Sequence, residues 1–239
     1  MRRYGAYLAG ARDVKRELLE TLLAARSRKE AVVLVTELDT GTQALYRMTA
    51  NPPKDQLEER ARECLERDRA STIDGVFYLP FNPPLRLFVV GAVHIAQAMV
   101  SMAKGLGFEV TVIDPRSSFG RTERFPGVLI DEAWPDEALE AAALDHRSAV
   151  ITLTHDPKLD DPALEVALQS PAFYIGCLGS SKTHAARRRR LAKQGFDEAA
   201  LDRLHGPLGL ALGGRAPAEV ALSALAEMVS VLRGGSARK

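Results

Sequence analysis

Four turns in the chain carry residue types suited to anions and heterocycles. The first is Gly91-Ala92-Val93-His94, between the apolar run LRLFVV and the helical pattern HIAQAMVSMAKGL. A dinucleotide site at such a turn uses three glycines, for the tight turn, for the approach of the pyrophosphate and for packing helix on strand. Those places hold Gly91, Val93 and Ala96 here. Alanine is accepted at the third, but a β-branched side chain at the second stands where the pyrophosphate would pass. NAD(P) is therefore disfavoured in its usual pose, although Asp114, ending the next strand, occupies the place of a ribose-binding carboxylate. Gly91 and Ala96 are equally explained by close packing of the helix on its strand. His94 opens the helix, where backbone donors disfavour imidazolium, so a neutral ring there offers a hydrogen bond to a ligand or to the turn itself.

The other three turns are DPRSSFGR with Asp114 and Arg116, THDPKLDDP with His155 and Asp156, and GCLGSSKT. In the last, Gly179, Ser180 and Ser181 present backbone donors at a helix start with Lys182 close by, an arrangement for phosphate. Its spacing is not that of a Walker A loop, and capping of the helix by serine is the competing account. His155 and Asp156, with Asp160 and Asp161 near, have the donor types for a divalent cation. Against this, Asp161-Pro162 reads as an N-cap followed by proline at the first helical position. The run Arg187 to Arg190 spans most of a helix circumference, so it forms no single binding face, and one or two of its guanidinium groups reach a crevice or partner while the rest meet solvent. Cys177 sits in an apolar strand and reads as a buried hydrophobe rather than a reactive thiol.

These turns need a scaffold that brings them together. From Leu85 onward strand and helix patterns alternate: LRLFVV, then HIAQAMVSMAKGL, FEVTVID, VLID, PDEALEAAAL, SAVITLT, DPALEVALQ, AFYIGCLG, THAARRRRLAKQ and a final helix APAEVALSALAEMVSVL that stops at Gly234-Gly235. Apolar strands alternating with helices predict an α/β fold, a Rossmann-like parallel sheet with helices on both faces. Ligands then gather outside the carboxyl ends of the strands, where the four turns lie. Before this, Arg12 to Arg26 predicts a helix, EAVVLVTEL and TQALYRMT a hairpin turning at Asp39-Thr40-Gly41, PKDQLEERARECLERDRA a helix burying Leu57, Ala61, Cys64 and Leu65, and GVFYLPF a strand. We expect a small α+β domain over residues 1–80, a proline-rich linker over 81–84, and a Rossmann-like domain over 85–239, with regular structure stopping at the prolines of PFNPP. The alanine-rich final helix, with Val220, Ala224, Ala226, Val229 and Leu232, serves either a homodimer or its own core.

Bulk composition narrows the function classes. The 32 basic and 31 acidic side chains leave a formal charge of +1, which gives no global field for nucleic acid or anionic lipid. Two cysteines without zinc-like spacing fit a reducing compartment. No segment has the length and apolarity of a membrane span or the pattern of a signal peptide. The expectation is a cytoplasmic protein with neither a nucleic-acid nor a membrane partner.

The segments GAVHIAQAM, GFEVTVIDPR, ERFP, THDPKLDDPAL, YIGCLGSSKTHAARRRRL and GPLGLALGGRAPAEVALSALAEMV, in that order, resemble the carboxy-terminal Rossmann domain of the XdhC/CoxI proteins, over about Leu85 to Leu232. These are accessory factors of molybdenum hydroxylases such as xanthine dehydrogenase and carbon monoxide dehydrogenase. The resemblance implies a chaperone rather than a catalyst: a protein that binds the molybdenum cofactor, a molybdopterin that can be extended to a dinucleotide, while a sulfurase installs its terminal sulfur, and that hands it to the apo-hydroxylase. By position, Gly91, His94, Asp114, Arg116, His155, Asp156, Gly179, Ser180 and Lys182 become its contacts; no catalytic residue and no metal ligand is implied. Two departures stand out. The family commonly has GAGH where this chain has Gly91-Ala92-Val93-His94, and neither its GSSPR-like loop nor its GGC segment is present between Met1 and Pro80. An NAD(P)-dependent oxidoreductase on the same fold is the alternative, supported by Asp114 and opposed by Val93.

Overall fold

The computed structural model describes residues 15–47, 51–116 and 124–235. The chain divides into two compact units, Met1–Pro83 and Pro84–Lys239.

The first unit runs α1 (Arg16–Ser27), β1 (Val32–Glu37), β2 (Gln43–Arg47), α2 (Gln56–Arg67), β3 (Ser71–Ile73) and β4 (Val76–Phe81), its strands forming one antiparallel sheet in the order β2-β1-β4-β3. The hairpin turns where Asp39-Thr40-Gly41 predicts, Gly41 taking the left-handed φ of 71° that glycine tolerates best. Helix α2 starts at a capping aspartate, Asp55, whose side chain accepts from the Glu58 amide at 2.8 Å. It buries Ala61, Cys64 and Leu65 against Val33, Val35 and Tyr78. Of the first predicted helix, residues 12–14 lie outside the described residues. The strand predicted over GVFYLPF forms as β4, which runs through Pro80 to Phe81, paired with Val33 and Val32 of β1, and regular structure then stops over residues 82–84. The three-residue β3 reaches only as far as Tyr78, so beyond it β4 has one neighbour, a place where a missing N–H is tolerated.

The second unit contains β5 (Leu85–Val90), α3 (His94–Gly105), β6 (Phe108–Ile113), β7 (Leu129–Asp131), α4 (Pro135–Ala141), β8 (Ser148–Thr152), α5 (Pro157–Gln169), β9 (Tyr174–Cys177), α6 (Ser181–Lys193), α7 (Glu198–Leu201), β10 (Leu204–His205) and α8 (Pro217–Leu232). Its six strands are parallel throughout, in the order β10-β9-β8-β5-β6-β7. The chain runs outwards from β5 to one edge, returns to β8 beside β5 and runs out to the other edge. The reversal between β5 and β8 is the switch point at which such sheets bind ligands. Successive residues of β5 feed opposite layers: Leu87 and Val89 join α3 and α8, whereas Phe88 and Val90 join α4, α5 and Leu191 of α6. Both faces are therefore covered, which is why the strands read as continuous apolar runs.

Three details depart from the sequence reading. Helix α5 begins at Pro157 with Asp156 as its N-cap, so Pro162 lies inside the helix and Asp161 is not its cap. Helix α7 and the two-residue strand β10 are additional elements. Of the residues expected to serve the apolar side of the final helix only Ala224 is fully buried; Ala221, Leu225 and Met228 join it in the helix's own core beside α3, leaving Leu222 and Val231 exposed. Replacing Met228 by alanine should lower the stability of this unit by about 2–5 kcal/mol in urea denaturation. The exposed Leu222→Ala change should stay within about 0.5 kcal/mol.

Candidate functional site

Gly91, directly after β5, has φ of +107°, and a Cβ placed on it would lie 2.7 Å from Cγ2 of Thr154 in the turn after β8. Backbone conformation and close approach both demand glycine here. The next amide, of Ala92, donates to Oδ2 of Asp114 at 2.8 Å. Oδ1 of Asp114 accepts from the Arg116 amide at 3.0 Å and from its Nε at 2.8 Å, while Nη2 of Arg116 reaches Oδ2 at 2.8 Å. Burial pushes the Asp114 carboxyl up, but these donors outweigh it and hold the group below the usual carboxylate range. Asp114 has no exposed surface. The carboxylate in the ribose-binding place is thus spent on holding its own turn, and Arg116, half-buried, is the part that meets solvent.

Val93 does not stand out over the turn as its position in the fingerprint suggests. It is the N-cap residue of α3 and packs, partly buried, against the core of that layer. His94 is exposed at the helix start, without a side-chain hydrogen bond or ion pair among the described residues.

The turn after β8 is built by Thr154. Its hydroxyl donates to Oδ1 of Asp160 at 2.7 Å and accepts from the Asp156 amide at 3.1 Å. Asp156 caps α5 by accepting from the Lys158 amide at 3.0 Å. Between them His155 is exposed and held at φ of 62°, a left-handed conformation uncommon for a residue with a side chain. Asp160 is buried opposite Arg187, 3.6 Å away, and Nη2 of Arg187 donates to the Leu178 carbonyl at 2.9 Å. Burial raises the Asp160 carboxyl despite the hydrogen bond from Thr154 and the charge of Arg187. Oδ2 of Asp160, Nε and Nη1 of Arg187 and the hydroxyl of Thr152 have no hydrogen-bond partner among the described residues. The carboxylates that a divalent cation would need are engaged elsewhere. Asp156 is a cap, Asp160 faces Arg187, Asp161 is bound to Arg190 through two hydrogen bonds, and no cluster of three potential ligands forms among the described residues.

After β9, Gly179 adopts φ of 141° against Thr183, and Ser180 caps α6 by accepting from the Thr183 amide at 3.2 Å. Lys182 projects from the first turn, exposed, without a hydrogen bond or ion pair among the described residues. The arginine run distributes itself differently from the expectation that most of it meets solvent. Arg187 turns inward, Arg188 binds Asp202 at 2.9 Å and also Glu198, Arg190 binds Asp161, and Arg189 is exposed. Cys177 is buried and its thiol is pushed up to about 12, mainly by burial, so it is not a nucleophile.

Gly91, Asp114, Arg116, His155 and Asp156 are thus linked, through Ala92 and Thr154, into one group around the switch point. Gly179 joins through Leu178 and Arg187, while His94 opens α3 and Ser180 and Lys182 stand at the start of α6. What the sequence reading missed lies further along the sheet. Residues from Leu204 to Gly214, with Gly179 and part of α8, line a cleft of about 640 Å³ that contains His205 and Glu227. Its signal was the glycine spacing of HGPLGLALGG, a segment too irregular to be read as helix or strand.

Residues 87–228 match the XdhC Rossmann domain. The chain belongs to this family. Among its relatives, the molybdenum cofactor insertion chaperone PaoD of Escherichia coli is 32% identical over 155 residues, 65% of this chain and 42% of that one. A probable xanthine dehydrogenase subunit from Bacillus subtilis is 27% identical over 156 residues, 65% of this chain and 45% of that one. The XdhC-type chain therefore spans less than half the length of these relatives. A solved structure described as a xanthine dehydrogenase from Bacillus halodurans shares the fold, with a TM-score of 0.69 at 23% identity over 93% of this chain and 68% of that one. No helix among the described residues is long and apolar enough to cross a membrane.

Gly91→Ala should lower stability by about 1–3 kcal/mol through its positive φ, beyond the cost of the clash. Adding Thr154→Ser, which removes the clashing methyl but keeps the hydroxyl, should recover only the steric share in thermal denaturation. Asp114→Asn should destabilise at neutral pH. Because the folded carboxyl is depressed, its contribution is present above the unfolded value of about 3.9 and is lost as pH falls through the folded one, so the gap to the native chain should close in acid melts.

Proposed function

We propose that this protein is a maturation factor for a molybdenum hydroxylase of the xanthine dehydrogenase or carbon monoxide dehydrogenase type, holding the molybdenum cofactor and delivering it. The observation that carries the reading is the set of solvent-facing cationic and hydrogen-bonding groups at the strand ends of an XdhC Rossmann domain: Lys182 and His94 at helix starts, His155 in the turn after β8, and Arg116, held by Asp114. The name of PaoD points the same way.

The donor types fit the phosphate end of a pterin cofactor. Backbone amides from Gly179 to Lys182 at the start of α6 and the Lys182 ammonium would hold the phosphate, and a helix start favours an anion whether the cofactor is a mononucleotide or a dinucleotide. Arg116, already fixed by Asp114, adds a second cation without further ordering. His94, His155 and the Asp156 turn would border the rest. The molybdenum itself is cargo, to be used by the recipient enzyme; no thiolate is offered to it, since both Cys64 and Cys177 are buried. The chain's own task is to bind, to shield from water and to release to an apo-hydroxylase, with a sulfurase acting on the loaded form. NAD(P) redox chemistry is disfavoured, because Asp114 is committed to the Ala92 amide and Arg116.

The protein purified from cells that make the cofactor should carry a pterin detectable by fluorescence after oxidation, and should associate with a hydroxylase apoprotein. Lys182→Glu should reduce the pterin content by about tenfold or more, the value of one charge-assisted hydrogen bond. Absence of pterin together with absence of hydroxylase association would overturn the reading.

A further inference from the structure

The arginine run leaves one charge that the fold does not use. Helix α6 carries Lys182, Arg187 to Arg190 and Lys193 and no acidic residue. Arg187 is buried, Arg188 is tied to Glu198 and Asp202, and Arg190 is tied to Asp161. Lys182, Arg189 and Lys193 are exposed, and none has a hydrogen bond or ion pair among the described residues. At about 100° and about 1.5 Å per residue, they fall within about 40° of one another around the helix axis and span about 16 Å along it. The exposed residues between them on this side are Ala185 and Ala192, so no long side chain interrupts the row.

Such a row works against the helix that bears it. Arg189 and Lys193 are like charges one turn apart, and Lys182 stands in the first turn, at the positive end of the helix dipole. The nearby acids offer no relief, because Asp161, Glu198 and Asp202 are already engaged by Arg190 and Arg188. Stability therefore gives no reason for these charges to share one face.

The flanks decide what kind of partner fits. The row is one side chain wide, with Asp161 on the side of Arg190 and Glu198 and Asp202 on the side of Arg188. A nucleic acid or a membrane would bring phosphates over those acids as well as over the row. No large apolar side chain is exposed on α6 to stack on bases or enter lipid. A single line of carboxylates, along one face of a helix or an extended acidic segment, matches the row and stays clear of the acids beside it.

We propose that the outer face of α6 is a docking surface for a line of carboxylates on a partner protein. Under the reading above that partner is the recipient hydroxylase, brought up beside the helix start, and only this identification rests on that reading.

The test is fluorescence anisotropy of a labelled decaglutamate peptide titrated with the full chain in low salt, with a thymidine decanucleotide as the second probe. The peptide should bind more tightly than the oligonucleotide, and binding should weaken as NaCl is raised to about 150 mM. Arg189→Gln combined with Lys193→Gln should weaken peptide binding about fivefold or more, whereas Lys15→Gln combined with Arg215→Gln, the same loss of charge elsewhere, should not. The first pair should melt at or above the native temperature, because a like-charge contact is removed. In cells that make the cofactor, that variant should keep its pterin and lose the hydroxylase. A native chain without hydroxylase would remove the identification of the partner and leave the surface to be decided by the peptide. No peptide binding at about 1 mM, equal affinity in the α6 variant, an equal loss in the control pair, or binding of the oligonucleotide as tight as that of the peptide would each overturn the proposal.

Discussion

A parallel sheet buried on both faces leaves polar side chains few places within the strands, because each face is sealed by helices and unpaired polar groups cost free energy there. Chemistry is therefore pushed to the strand ends, and the connection rules of the fold put the starts of the helices that directly follow strands on that same edge. In the second unit β8 is buried at every position from Ser148 to Thr152, and its first solvent-facing residues come in the turn that follows. β5 is buried at every position but Arg86, and its last residue precedes Gly91. What the four turns can do follows from this placement rather than from any feature of the strands.

Within that edge, the structure separates groups that support from groups that reach out. Asp114, Asp160 and Arg187 are buried and committed to the protein, joining adjacent turns into one frame. His94, His155 and Lys182 are exposed on the frame, His94 and Lys182 without protein partners among the described residues. A ligand approaching the edge meets the second set, and its fixed positions come from the first. The strained backbone of His155 belongs to this division, since the Thr154 and Asp156 bonds on either side of it hold a conformation that the residue alone would rarely adopt.

The architecture was legible because it rests on periodicity. Runs such as LRLFVV and SAVITLT have no reading but buried strands once helices alternate with them, and the four turns follow directly. Local competition made the rest illegible. Asp161-Pro162 has the chemistry of a helix start, but Asp156-Pro157 has the same chemistry one turn earlier, and the strand end fixes which pair is used. Arg187 looks like its three neighbours in sequence, and only the Leu178 carbonyl and Asp160 distinguish it. Glu227 and His205 are 22 positions apart, in a helix pattern and a glycine-rich stretch, with nothing in either to announce the other. Strand β10 is two residues long, below the length at which alternation can be seen.

Val93 shows what happens to a nucleotide fingerprint when its middle position is released. The side chain has been recruited into the hydrophobic layer under α3, and Asp114 has been drawn into holding the loop. Return to glycine would forfeit that burial and loosen the helix start, while the acidic partner would still be engaged elsewhere. Conversion of this turn into a dinucleotide site thus needs at least two concerted changes, the first of them harmful by itself, so no single substitution leads there.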